Sequence, residues 1–148
     1  MADCTDPEIC DAYEEVRDDK NETSWLILQY VSDRSDKLTL KSKGTGGLQD
    51  FVDKLDDNQA AFGYIRLNVS NDELSVRTKF IFITWVGSGV KIMRKAKLSV
   101  HVSDVKKVLR ACAIDVNAHD KAELDEEEIL TQLRRAGGAN YDRRSYDY

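Results

Sequence analysis

The sequence predicts a single α/β domain, a mixed five-stranded sheet with helices on both faces. Three observations carry this. Strand-like and helix-like segments are interspersed along 148 residues, a length that buries one sizeable core. One segment, "KFIFITWV" at 79–86, is apolar on both sides after its first residue, as a central strand covered on both faces must be. The chain is 41% hydrophobic and 33% charged, the balance of a folded, soluble domain.

The elements follow in order. Asp6-Pro7 opens a helix, because Asp caps a first turn and Pro lacks only an N–H that would have no partner there. Ile9, Tyr13 and Val16 then share one face. "SWLILQYV" (24–31) reads as a strand of large apolar residues, SDRSD as a turn, and "KLTLKSK" (37–43) as an alternating strand with Leu38 and Leu40 inward. Gly44–Gly47 breaks the chain, and Leu48, Phe51, Val52 and Leu55 make a short amphipathic helix. "AAFGYIRLNV" (60–69) is a third strand, with a turn expected at Asn71-Asp72. Lys79 opens the fourth. A short helix is expected over Val90–Ala96. A further helix is capped by Ser103 or Asp104, with Val105, Val108, Leu109 and Cys112 inward. "AIDV" (113–116) is a short fifth strand. Asp120 and Glu123 have capping-box spacing before a helix carrying Ile129, Leu130 and Leu133. That helix stops at Gly137-Gly138. Residues 1–136 are expected to form the domain and 137–148 a polar, mobile tail.

Most candidate chemistry fails on inspection. Gly87-Ser88-Gly89 follows a strand, but a dinucleotide loop needs a third glycine where Ile92 stands, and no Walker motif occurs. A tight turn is the preferred reading. Asp115-x-Asn117-x-His119 with Glu126 echoes a calcium loop but has Asp120 where the sharp turn needs glycine. Cys4, Cys10 and Cys112 form no C-x-x-C and read as reduced thiols. His101 and His119 form no metal motif, and Trp25 and Trp85 read as core. No metal, cofactor or catalytic constellation is expected. The acidic N-terminus lacks the basic and apolar regions of a secretory signal, and no apolar stretch approaches bilayer length, so a cytoplasmic, non-membrane protein is expected.

Charge is unevenly placed. The net charge is −5, yet residues 77–110 hold nine bases and one acid, whereas 1–22 hold nine acids and two bases. A basic stretch in an acidic protein suggests a patch for an acidic partner, the alternative being charges scattered over several faces. Nucleic acid is disfavoured, since the chain is acidic overall and the aromatics nearby (Phe80, Phe82, Trp85) fall in a strand expected to be buried.

The motifs KFIFITWVG, RKAKLSV, SDVKKVL, KAELDEEEI and LRRAGGANYD, with CDAYEEVRDD and SWLILQYV upstream, resemble the actin-depolymerising-factor homology family that includes cofilin, and within it the coactosin branch. The resemblance covers nearly the whole chain. It implies a single domain of that family, without enzymatic activity, that binds actin filaments (F-actin) and counteracts barbed-end capping without severing. By motif match, Lys79 is the basic residue used against actin, with Arg77 beside it. Arg94, Lys95 and Lys97 match a stretch flanking the actin-facing helix, and Lys106 and Lys107 match positions on that helix. The helix after Ser103 reads as shorter and less basic than that of cofilins, which implies weak or no binding to monomeric actin. A monomeric protein is expected.

Overall fold

Along the chain run α1 (Pro7–Arg17), β1 (Trp25–Tyr30), β2 (Leu38–Gly44), α2 (Leu48–Asp53), β3 (Ala60–Asp72), β4 (Ser75–Val86), α3 (Ile92–Val108) and β5 (Ile114–Ala118). A 3-10 turn (Lys121–Glu123) and α4 (126–135) follow. The structure, a computed structural model, describes residues 3–18, 20–32, 35–72, 75–110 and 112–135, with the backbone alone over 69–72 and 75–77. Gly137-Gly138 and the tail beyond lie outside the described residues.

The strands form one sheet in the order β2-β1-β3-β4-β5. All neighbours are antiparallel except the parallel β4–β5 pair. Strand alternation sorts the side chains onto two faces. Trp25, Ile27, Ile65, Ile81, Ile83 and Trp85 pack with α2 and with Ile129 and Leu133 of α4. Leu26, Leu28, Phe62, Tyr64 and Phe82 pack with Ile9, Tyr13 and Val16 of α1 and Leu98 and Val105 of α3. The predicted three-layer arrangement is therefore present, with β4 paired on both sides and covered on both faces.

Local chemistry explains the joints. The Asp6 carboxylate accepts the Glu8 N–H at 3.0 Å, with Pro7 in the first turn of α1. Gly63 lets α2 approach the sheet, since a Cβ there would stand 2.3 Å from Phe51 Cζ. Gly87 serves the turn anticipated for Gly87-Ser88-Gly89. A Cβ there would meet the Asp57 carbonyl oxygen at 2.1 Å, and the Gly87 and Gly89 N–H groups donate to the carbonyls of Gln59 and Asp57.

Four local expectations are corrected. Val90–Ala96 and the helix after Ser103 are one 17-residue helix, α3. No Gly or Pro interrupts it, and Ser103 lies in its interior rather than at a cap. The alternation of LSVHVS disguised the helical spacing of its buried residues Leu98, His101 and Val105. Cys112 lies beyond that helix, half-buried, with its thiol donating to Asp115 at 3.5 Å. Asp120 caps only the 3-10 turn. Asp125 begins α4, its carbonyl accepting the Ile129 N–H and its side chain the Glu127 N–H. Finally, Asn71 and Asp72 remain in β3, where Asp72 pairs with Ser75, and β4 begins at Ser75 rather than at Lys79.

Candidate functional site

The last correction changes the setting of the first-named candidate. β1 pairs with β3 only as far as Ile65, and β5 pairs with β4 only from Ile81 onward. Beyond those residues β3 and β4 continue to the Asp72–Ser75 pair with no other strand beside them among the described residues. A two-stranded arm of roughly 20 Å thus projects from the sheet. Lys79 sits on it, opposite Leu67, in mid-strand and not at a strand end. It is half-buried, and its ammonium has no ion-pair partner among the described residues. By alternation it belongs to the Ile81–Ile83–Trp85 side of the sheet. Arg77 pairs with Val69 through the arm's backbone, and its side chain lies outside the described residues.

The other candidates are all on α3, which packs against the opposite face of the sheet. They are not equivalent. Arg94 is half-buried with its guanidinium 4.0 Å from the Tyr30 ring centroid. It donates to the carbonyls of Ser35 and Ser32, each at 3.2 Å, so it fastens α3 to the β1–β2 connection. Lys97 pairs with Asp36 at 3.5 Å. Lys106 pairs closely with Asp115 of β5, which holds the Lys106 pKa above its ordinary value. Lys107 lies 3.9 Å from Asp104 and is largely exposed. Lys95 has no ion pair among the described residues.

Charge-based reading missed the centre of this surface. Ile92, Met93 and Val100 are 82%, 78% and 68% exposed. With Ala96 they form the outward stripe of α3, opposite Leu98 and Val105, and Lys107 continues it. Lys95 and Lys106 border one side and Lys97 the other. The spacing of Ile92, Ala96 and Val100 carried the signal, but only once α3 is read as continuous.

Beneath α3 lies a buried polar pair that sequence reasoning also missed. Tyr30 Oη and His101 Nδ1 are hydrogen-bonded at 2.8 Å, and His101 is 3% exposed. Burial pushes the Tyr30 hydroxyl up to about 12. Burial also holds the His101 imidazole below the usual histidine range, against the pull of Asp36 and Asp104. The unfolded chain therefore binds the proton more readily. The stability that neutral His101 contributes is complete above about pH 6.5, the unfolded value, and is lost as pH falls from there through the folded pKa. Thermal unfolding should accordingly show a lower melting temperature at about pH 5.5 than at about pH 7.5. His101→Asn, which keeps a partner for Tyr30, should flatten that difference. An undiminished difference in the variant would place the titration elsewhere.

A sheet sandwiched between helix layers carries an exposed apolar stripe with cations on an outer helix and Lys79 on a projecting arm, the kind of surface that marks protein–protein contact. Residues 1–134 match the model of a family described as cofilin/tropomyosin-type actin-binding proteins, and the chain belongs to that family. It is 36% identical to coactosin of Dictyostelium discoideum, over 95% of each chain. The solved structure of coactosin from Entamoeba histolytica superposes with a TM-score of 0.83 at 29% identity, covering 93% of this chain and 97% of that one. Mouse coactosin, described as an actin filament binding protein, is 34% identical, with a TM-score of 0.74 over 98% of this chain and 99% of that one.

Proposed function

We propose that this protein is a filament-binding cytoskeletal protein of the coactosin type. It binds the sides of actin filaments and counteracts barbed-end capping without severing. It acts without enzymatic activity, as a cytoplasmic monomer with weak or no binding to monomeric actin. The observation that carries this reading is the similarity to coactosins over nearly the whole length of both chains. The arm bearing Lys79 supports it: a cation on a paired strand is presented with little loss of freedom on binding. Opposite charge on the partner then steers encounter and fixes register. Among the described residues, no helix is long and apolar enough to cross a membrane.

A cofilin-like depolymerising or severing activity is the second reading, and one observation favours it. The continuous 17-residue α3 removes the shortened-helix argument against monomer binding, so filament preference rests on the coactosin relatives. Dilution of preformed filaments separates the two. The coactosin reading predicts filaments that shorten no faster with the protein than without it. Accelerated shortening or visible fragmentation would transfer the assignment to the cofilin type.

A further inference from the structure

Where the first turn of α3 crosses the end of the sheet there is an open groove of about 930 Å³. It lies beyond the Val86 end of β4, which is roughly 23 Å along the strand from Lys79. Its lining carries four cations, Lys41, Lys91, Arg94 and Lys97, against one carboxylate, Asp56. That carboxylate already accepts the Asn58 N–H at 2.9 Å. Lys41 and Lys91 have no ion pair among the described residues, and Arg94 is fixed in place by the Tyr30 ring and two carbonyls. The rim holds Met93 and Val31, 78% and 56% exposed.

A second observation points to an anionic occupant. The start of a helix is its positive end, where acidic side chains are stabilising and cations are not. α3 has no acid in its first turn and is preceded by Lys91, with Arg94, Lys95 and Lys97 in its opening turns. Helix stability alone disfavours this arrangement, and a bound anion would relieve it.

We propose that this groove is a docking site for an extended acidic peptide segment carrying an apolar side chain. Its carboxylates would meet Lys41 and Lys91, Lys97 being paired with Asp36, and its apolar side chain would rest on Met93 and Val31. On the walls the Asn58 amide side chain suits a backbone N–H or C=O group, whereas the Gln29 and Gln59 amides are bonded to each other. Nucleic acid fits less well, because base stacking needs an open aromatic face and Tyr30, the aromatic residue in the lining, is covered by Arg94 and His101. A lipid surface fits less well because the cations line a groove rather than a flat face with a broad apolar border.

The test is fluorescence anisotropy with a fluorescein-labelled Glu-rich peptide containing one Leu. The same peptide with Gln for every Glu, and phosphatidylserine vesicles as competitor, complete the set. The Glu peptide should bind saturably, and the Gln peptide at least about tenfold more weakly. The double variant Lys41→Glu, Lys91→Glu should weaken binding at least about tenfold, while Lys121→Glu, on the exposed 3-10 turn, binds as wild type. Both groove lysines are exposed, so folding should survive. If circular dichroism shows otherwise, the pair Lys41→Gln, Lys91→Gln is read by the same criterion. Absence of saturable binding, equal binding of the Gln peptide, equal loss in Lys121→Glu, or an unaffected groove variant would each overturn the proposal. Displacement by the vesicles would reassign the groove to anionic membrane surfaces and would likewise overturn it.

Discussion

Lys79→Glu is expected to remove filament binding while leaving the fold intact. Lys79 lies in a strand whose backbone is paired with Leu67, and its ammonium has no ion pair among the described residues, so little stability depends on the charge. An interface anchor costs about 2 kcal/mol or more when truncated, roughly thirtyfold in affinity. Lys79→Ala should show at least that loss. Lys79→Glu should lose more, since it sets like charge against an acidic partner. Lys41→Ala, on the edge strand β2, should bind filaments as wild type. Pelleting of Lys79→Ala like wild type, with an unchanged circular dichroism spectrum, would move the site to the α3 stripe. Val100→Asp would then be the variant to examine.

The largest stability effect away from the hydrophobic core is expected at Arg66. Its guanidinium donates to three carbonyls, those of Val16 at 2.9 Å, Asp18 at 2.6 Å and Asn21 at 2.8 Å. It closes the C-terminal end of α1 and fixes the segment leading into β1. Hydrogen bonds from a charged donor are each worth about 1.5–3 kcal/mol when buried, but water can replace part of this at half-buried carbonyls. Arg66→Met should therefore cost about 2–3 kcal/mol, which lowers the melting temperature by roughly 8 °C in a domain of this size. Arg66→Lys should recover less than half, because an ammonium cannot reproduce the planar fork. A fall under about 2 °C for Arg66→Met would show that solvent satisfies those carbonyls.

Much of the fold was legible because its signals are local. Alternation exposed β2, two-sided apolarity exposed β4, and Asp6-Pro7 exposed α1. Trp25 and Trp85 were placed in the core and are 1% and 0% exposed. What was missed depends on tertiary context. α3 reads as two pieces because LSVHVS alternates like a strand, whereas its helical face joins the core cluster through Leu98 and Val105. Lys79 seemed to open a strand because apolarity begins after it. β4 instead starts at Ser75, in an arm where, among the described residues, β3 and β4 pair only with each other.

The basic stretch was legible as charge but not as geometry. Its members separate onto an arm on one face and a helix on the other, and Arg94 is half-buried against Tyr30. No sequence pattern joins Tyr30 to His101 across 71 positions. The outward apolar stripe of α3 was equally hidden, since Ile92 falls in the short helix expected over Val90–Ala96 and Val100 in the gap before the next.

Co-sedimentation with actin filaments, run beside a monomer-binding assay on the same preparation, tests the central proposal most directly. The account predicts saturable pelleting with filaments, lost in Lys79→Glu, and monomer affinity at least about tenfold weaker. Failure to pellet, or binding to monomers as tight as to filaments, would contradict it.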